Sequence, residues 1–315
     1  MHERDGIILV DKPSGMTSHD VVDFLRKLLK IRRIGHTGIL DPNATGLMLM
    51  LLGKGTKLSR FLTDLPKRYV ARFEFGIATD TYDAEGKVVS RSDPGNVKRI
   101  DFEELIRIFI GQIEQIVPVF SAAKRNGVAL YKLARKGNEV ISGTKVVNIE
   151  KIDMVDFDWP EVELDIRCSS GTYVRSLAHQ MGERLGCGGY LKSLRRVEVG
   201  RFDVSAASTL DEIKEADDLS GLIRPLQEAM SDRPHVRIKP QYYGAVLNGR
   251  PLMKKFIAES DYSGSGDTLS ILLGPDDKVL ALARLNMLWG AFNKVAPSEI
   301  LGTYVKVIDE GHIRN

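Results

Sequence analysis

The sequence predicts an α+β fold: a mixed, mostly antiparallel sheet with flanking helices, followed by a small C-terminal β-barrel. Three observations predict it. Before Arg233-Pro234, strand-like and helix-like segments are mixed without the regular βαβ alternation of a parallel sheet. Residues Arg68 to Gly76 alternate, with Tyr69, Ala71, Phe73 and Phe75 on one face and Val70, Arg72 and Glu74 on the other, the period of a half-buried strand. From His235 onward, short apolar runs are separated by the turns Asn248-Gly249, Ser263-Gly264-Ser265-Gly266 and Gly274-Pro275-Asp276-Asp277, the pattern of a small barrel or sandwich.

Taken in order, Gly6-Ile7-Ile8-Leu9-Val10 reads as a buried strand ending in the turn Asp11-Lys12-Pro13-Ser14-Gly15. Thr17 or Ser18 can cap the helix that follows, in which Val21, Val22, Leu25, Leu28 and Leu29 fall at helical spacing. Leu47 to Leu52 is strongly apolar and fits a strand or a buried helix equally. Thr79 to Gly86, with three acids, reads as a loop leading into the strand Lys87-Val88-Val89, and Asp101 to Ile110 as an amphipathic helix opened by an aspartate cap. Strands follow near 146–155 and 161–168, then a helix from about Tyr173 to Leu185, and late in the chain a strand from Val279 to Leu285. The change of character near Arg233-Pro234 divides the chain into residues 1–232 and 233–315.

At 315 residues and 43% hydrophobic content the chain can bury a substantial core, and 28% charge is an ordinary globular balance. The net charge of +3 says little, but its distribution says more. Positions 24 to 40 hold five Lys/Arg and no acid, and positions 115 to 138 hold another five with none. Patches of this kind meet phosphates or serve as solvated faces. Cys168 and Cys187 are too few for a zinc ribbon or a disulfide framework, which fits a reducing cytoplasm. The charged start Met1-His2-Glu3-Arg4-Asp5 is unlike a signal peptide, and no apolar run reaches the roughly 20 residues that span a bilayer.

The densest signal lies in Arg33-Ile34-Gly35-His36-Thr37-Gly38-Ile39-Leu40-Asp41-Pro42-Asn43-Ala44-Thr45-Gly46. Its glycines and proline exclude a helix interior, so His36 and Asp41 belong on a loop held by its neighbours. A lone carboxylate beside the basic run Arg26 to Arg33 suits acid, base or nucleophile chemistry on a bound polyanion; a turn in which Asp41 bonds its own backbone before Pro42 also suits it. No second His or Cys stands at metal-ligand spacing from His36, so no metal is expected.

The pattern Gly-His-Thr-Gly-x-Leu-Asp-Pro-x-Ala-Thr-Gly resembles the catalytic motif of bacterial tRNA pseudouridine synthases of the TruB family. The resemblance implies a pseudouridine synthase core, with Asp41 as the catalytic residue and His36 filling the space left by a flipped base. Four further blocks follow the family's order. Lys12 and Pro13, in Leu9 to Ser18, match a motif that supports the catalytic loop. Tyr69, in Lys67-Arg68-Tyr69-Val70-Ala71, matches a tyrosine that stacks on the target base and is placed to take the C5 proton. Ser169-Ser170-Gly171-Thr172-Tyr173-Val174-Arg175-Ser176-Leu177 resembles the family's Gly-Thr-Tyr-Ile/Val-Arg-Ser, which implies that Arg175 pairs with Asp41 and that Tyr173 meets substrate. Leu194, in Leu191 to Arg196, matches an apolar residue of the uracil pocket. By composition alone Tyr69 and Leu194 are also ordinary core residues, and Arg175 an arginine covering a groove with its stem.

The block Pro118-Val119-Phe120-Ser121-Ala122-Ala123-Lys124-Arg125-Asn126-Gly127, continuing through Tyr131, Ala134, Arg135 and Gly137, resembles the bacterial thumb insertion (about 120–146) that clamps the T-stem and loop. It implies RNA contacts from Lys124, Arg125 and Arg135. Val117, Phe120, Ile39 and Asn43 depart from the family's usual residues at supporting positions. Leu247-Asn248-Gly249-Arg250-Pro251-Leu252 and the Val279 to Ala283 strand resemble a PUA domain, a small RNA-binding β-barrel, although residues 235 to 315 carry ten basic against eight acidic side chains.

The expected activity is isomerisation of the T-loop uridine of tRNA, position 55 in tRNA numbering. Its first step is carboxylate addition at C1′, stabilisation of positive charge there, or removal of the 2′ proton. No cofactor is expected, since an isomerisation needs no co-reactant. The expected partner is the T-stem and loop of tRNA, with no obligatory protein partner, no membrane, and a monomeric enzyme in the cytoplasm. A guide-RNA-dependent relative is the runner-up, which the thumb-like block argues against. A non-catalytic tRNA-folding protein is a third reading, against which Asp41 and Arg175 together stand.

Overall fold

The strands that carry the candidate residues lie side by side in one large sheet. The protein is seen here as a computed structural model, which describes residues 5–121, 124–125, 128–130, 143–260, 267–286 and 294–308. In chain order the first half contains β1 (Gly6–Lys12), α1 (Ser18–Leu29), β2 (Ile34–His36), β3 (Thr45–Leu52), α2 (Ser59–Thr63), β4 (Lys67–Phe75), β5 (Ile77–Thr79), β6 (Val88–Arg91), α3 (Arg99–Ile108), β7 (Gly111–Ile116), β8 (Lys124–Arg125), β9 (Val128–Ala129), β10 (Thr144–Asp158), β11 (Glu161–Cys168), α4 (Val174–Leu185), β12 (Gly189–Val199), β13 (Phe202–Asp203) and β14 (Ser208–Thr209). The main sheet runs β14-β1-β3-β12-β4-β11-β10-β7, with β13 on β12 and β2 on β3. Among the described residues β1–β14 and β3–β12 are its parallel pairings and the others are antiparallel, as the α+β reading expects.

The ambiguous run Leu47 to Leu52 is a strand: β3 sits between β1 and β12, and buried on both faces it has no polar side to show. In β4 the predicted alternation holds, with Lys67, Tyr69, Ala71, Phe73 and Phe75 buried. Thr17 caps α1 in a reciprocal capping box with Asp20. The helix expected from Asp101 starts two residues earlier, at Arg99, behind Lys98, whose side chain makes no cap bond. Asp101 stands in the first turn, where its charge favours the helix N-terminus without capping it. The strand expected at Lys87-Val88-Val89 runs from Val88 to Arg91 and pairs with β5.

The second half forms a separate six-stranded sheet, from β15 (His235–Ile238), β16 (Leu252–Met253), β17 (Ile257–Ser260), β18 (Thr268–Leu273), β19 (Val279–Leu285) and β20 (Ile300–Val307), in the order β16-β20-β19-β18-β15-β17. It curls as a half-barrel, the form in which the expected small barrel is met. Ile7, Leu9, Leu47, Leu49 and Leu51 from one face of β1 and β3 share an apolar cluster with Ile271, Leu273, Val279 and Leu282 of this sheet. The opposite face of the main sheet packs against α1, α3 and α4 through a second cluster that includes Val21, Phe102 and Leu177. The sheet is thus covered on both faces, and the loop after β2 emerges at its end. No helix among the described residues is long and apolar enough to cross a membrane.

Candidate active site

The loop between β2 and β3 is fixed before any functional group is considered. On one side, the turn after β1 holds it. Lys12, fully buried, donates from Nζ to the carbonyls of Pro13 (2.8 Å), Met16 (2.7 Å) and Pro42 (2.9 Å). Ser18 both donates to the Leu40 carbonyl and accepts from the Leu40 N–H. From β12, Arg196 (1% exposed) donates Nε to Leu47 O at 2.7 Å, Nη1 to Ile39 O at 3.3 Å and Nη2 to Gly38 O at 3.2 Å. Gly46 has φ +103°, and a Cβ there would lie 2.2 Å from the Arg196 carbonyl oxygen, so the parallel contact of β3 with β12 requires glycine.

Asp41 makes a local turn through its carbonyl, which accepts from the Ala44 N–H at 3.1 Å. Its side chain points elsewhere, to Arg175 on the first turn of α4. Arg175 Nε stands 3.0 Å from Asp41 Oδ2 and Nη2 3.5 Å from Oδ1. The arginine is buried, so it is no stem over a surface groove; its remaining donors reach Phe120 O (3.1 Å), Thr81 O (3.3 Å) and Asp83 Oδ2 (3.2 Å). The helix that carries it is held at its N-terminus by the buried Gln115 of β7. That amide accepts from Tyr173 N at 2.9 Å and donates to Tyr173 O at 3.3 Å. One turn on, Ser176 donates to Ile116 O at 2.6 Å. At Gly182 a Cβ would stand 2.2 Å from Gly189 N, so glycine lets α4 lie close to the start of β12.

The Asp41 side chain keeps 41% of its surface exposed, and protein encloses the rest. Burial pushes its carboxyl above the ordinary 3.8; Arg175 opposes that rise, Asp83 adds to it, and Lys12 opposes it. Burial pulls Lys12 down to about 8, against the attraction of Asp41, which leaves it largely charged at neutral pH. His36 closes β2. Its Nδ1 accepts the Gly38 N–H at 3.3 Å, and burial, then Arg196, pull the imidazole below 6.5, so it is neutral at pH 7. Tyr69 is buried on β4 with the Arg196 guanidinium at its hydroxyl; burial pushes the phenol above 10 although the arginine opposes it.

The structure therefore brings Asp41 and Arg175 into direct contact and links His36, Tyr69 and Lys12 to the same loop. Tyr173 stands at the N-cap position of α4, its side chain making no cap bond, and Leu194 is half-buried on β12 against the main core. Lys124 and Arg125 form a short strand with Val128 and Ala129, and Arg135, with Tyr131, Ala134 and Gly137, lies outside the described residues. Two residues escaped the sequence reading. Asp83 is one of three acids in the Thr79 to Gly86 loop, and nothing in spacing separates it from Asp80 and Glu85. Arg196 follows Arg195, which points the other way and pairs with Asp11 at 2.7 Å; the alternation of β12 is the one available signal.

Comparison with known proteins places this geometry. The family model "TruB family pseudouridylate synthase (N terminal domain)" matches residues 26–174, and "tRNA pseudouridylate synthase B C-terminal domain" matches residues 175–231. The chain is similar to the tRNA pseudouridine synthase B of Geobacter sulfurreducens, at 38% identity covering 92% of this chain and 97% of that protein. It is similar to that of Syntrophotalea carbinolica at 38% identity, covering 86% and 89%. Among solved structures, an H/ACA RNP bound to a substrate RNA containing 2′-deoxyuridine matches with TM-score 0.75 and 25% identity, covering 98% of this chain and 86% of that one. A Cbf5–Nop10–Gar1 complex matches at TM-score 0.74 and 26% identity, with the same coverage.

Proposed function

The chain belongs to the TruB family of pseudouridylate synthases, and from that premise we propose that it isomerises the T-loop uridine of tRNA, position 55, without a partner protein. Isomerisation of a tRNA uridine to pseudouridine is the family's reaction. In it the N1–C1′ bond breaks, a C5–C1′ bond forms, the C5 proton leaves and N1 gains one. The base must detach yet stay trapped, so the nucleotide has to leave its stack and water has to be kept out.

The observation that carries the reading is the pairing of the partly exposed Asp41 carboxylate with the buried Arg175. Each first step available to a carboxylate at C1′ needs Asp41 ionised, and burial, which raises its pKa, works against that. Arg175 supplies the opposing charge and fixes the carboxylate's direction. Asp83 holds Arg175 from the other side. We assign Tyr69 the stacking surface for the uracil, placed to take the C5 proton at the end of the reaction. His36, neutral, offers a flat ring where the base was, and Leu194 and Tyr173 line the pocket. Lys12 and Arg196 shape the loop, and residues 233–315 serve as an accessory RNA-binding unit. Lys124, Arg125 and Arg135 contribute phosphate contacts.

Stand-alone action is favoured by the high coverage of the tRNA pseudouridine synthase B relatives, against the 25–26% identity to the ribonucleoprotein components. The test is tritium release from bare tRNA labelled at C5 of uridine. We expect release confined to the T-loop with wild-type protein, and none with Asp41→Asn at unchanged tRNA affinity. Release that requires added proteins or guide RNA would favour the guide-dependent reading, and turnover by Asp41→Asn would remove that residue from its role.

A further inference from the structure

We propose that Tyr82 and His179 form a stacked positioning pair that holds the Asp83 carboxylate on Arg175, and so sets the direction in which Arg175 meets Asp41. The inference rests on the catalytic reading above and adds two residues that lie outside the sequence blocks singled out there.

It begins with backbone conformation. Tyr82 has φ +63°, in the left-handed region that bulky side chains rarely adopt. A residue held there is strained and persists where its surroundings over-determine it. Three contacts do so. The Tyr82 N–H donates to Thr79 O at 3.3 Å, and its carbonyl accepts from Leu191 N at 2.9 Å. Its ring stacks on His179, with centroids 3.9 Å apart and planes 9° from parallel. The first two contacts fix the backbone on either side of the residue, and the third fixes the side chain.

The strained residue stands between the two groups of this loop that bind Arg175. The Thr81 carbonyl and the Asp83 Oδ2 lie 3.3 and 3.2 Å from the same Arg175 nitrogen, Nη1. A chain reversal at residue 82 lets a carbonyl before it and a carboxylate after it converge on one donor. Asp83 is further set by Thr81 Oγ1, at 2.5 Å from its Oδ1, and by the Glu85 N–H at 3.1 Å.

His179 is placed to read the same loop. It follows Arg175 by four residues on α4, one turn along the same face. The helix therefore grips residues 81–83 twice, by a guanidinium on Thr81 and Asp83 and by an imidazole on Tyr82. The His179 Nδ1 is buried with no hydrogen-bond partner among the described residues, so ring packing rather than a polar bond holds the side chain. Burial also lowers its affinity for a proton, which keeps a neutral ring against the phenol face. No cation is needed for such a stack.

The test separates positioning from general packing by asking whether the effect passes through Asp83. His179→Ala, His179→Phe and Asp83→Asn, with the Asp83→Asn/His179→Ala double variant, are assayed by tritium release from C5-labelled tRNA. We expect His179→Ala to lower kcat about fivefold, with KM within about twofold, since ring pairs contribute at that scale. His179→Phe, which keeps a flat ring, restores most of the loss. In the Asp83→Asn background, removing His179 has no further effect, because the carboxylate it positions is gone. An equal fall in both backgrounds, or no fall in either, overturns the proposal. A crystal structure of His179→Ala gives a readout independent of activity: the Asp83 carboxylate should move beyond about 4 Å from Arg175, outside ion-pair distance. A carboxylate unmoved at its present distance overturns the proposal even if the variant is slow. An inactive wild-type protein defeats the catalytic reading alone, and the crystal structure still decides the stack.

Discussion

The loop that carries Asp41 meets two buried arginines, and they bind it through different groups. Arg175 reaches side chains: it lies between the Asp41 and Asp83 carboxylates. Arg196 reaches backbone, the carbonyls of Gly38, Ile39 and Leu47, and among the described residues no carboxylate stands within ion-pair distance of it. The difference teaches how one loop is both shaped and charged. Carbonyl dipoles and the Tyr69 hydroxyl compensate this buried cation with no carboxylate beside it, so Arg196 can fix the backbone while leaving the charge around Asp41 to others. Arg175, between two carboxylates, couples its position to their ionisation. Loss of Arg196 should read out in stability, and loss of Arg175 in rate and in pH dependence.

Arg175→Met is the largest expected effect. It removes the group that lets Asp41 ionise, and kcat should fall by about a thousandfold, the scale of losing a preorganised charge at the reacting centre. The sign of the pH change follows from the opposing influences on Asp41. Burial raises its pKa and Arg175 lowers it, so without the arginine the acid limb of kcat moves to higher pH. Tritium release measured across pH checks both. An acid limb that stays put would break the distinction between the two arginines.

Arg196→Met comes next. It leaves the Gly38, Ile39 and Leu47 carbonyls without their donors in a buried setting, offset by removal of a costly buried charge. A net loss of about 3 kcal/mol is expected. For a chain of this size that is a fall of roughly 5–10 °C in the thermal midpoint. The acid limb of kcat should stay where the wild type has it, since Arg196 is not among the charges that act on Asp41. Calorimetry with the pH profile of the same variant sharpens the comparison. A stable variant with a displaced limb would exchange the roles of the two arginines.

The same contrast explains what could be read in the sequence. The β4 alternation, the α1 cap and the late strands were legible because period and capping are local. Asp41, Arg175 and Tyr69 were legible through motifs, and the pairing of the first two is a contact over 134 positions that no periodicity reports. Leu47 to Leu52 was undecided because a strand buried on both faces loses its alternation. Asp83 and Arg196 were illegible for different reasons. Asp83 is selected among neighbouring acids by the left-handed turn at Tyr82, a conformation its sequence does not announce. Arg196 is selected over Arg195 by which face of β12 meets the loop, a matter of register with β3 and β4. Arg135, with Tyr131, Ala134 and Gly137, stays with the sequence reading, outside the described residues.

Asp83→Asn is the smallest of the three effects and the most discriminating, because rate and pH should move in ways that a simple loss of structure does not produce. Asp83 anchors Arg175, so an uncharged amide loosens the guanidinium, and kcat at its optimum should fall about 30-fold, or roughly 2 kcal/mol. The same substitution removes a negative charge that raises the Asp41 pKa. If Arg175 stays in place, the acid limb of kcat therefore moves to lower pH, opposite to its movement in Arg175→Met. A limb that moves upward in Asp83→Asn would mean that Arg175 has left Asp41 altogether, so that the anchoring role of Asp83 outweighs its charge. Midpoints of the two acid limbs, taken from one set of tritium-release profiles, decide between an anchor that acts by position and one that acts by field.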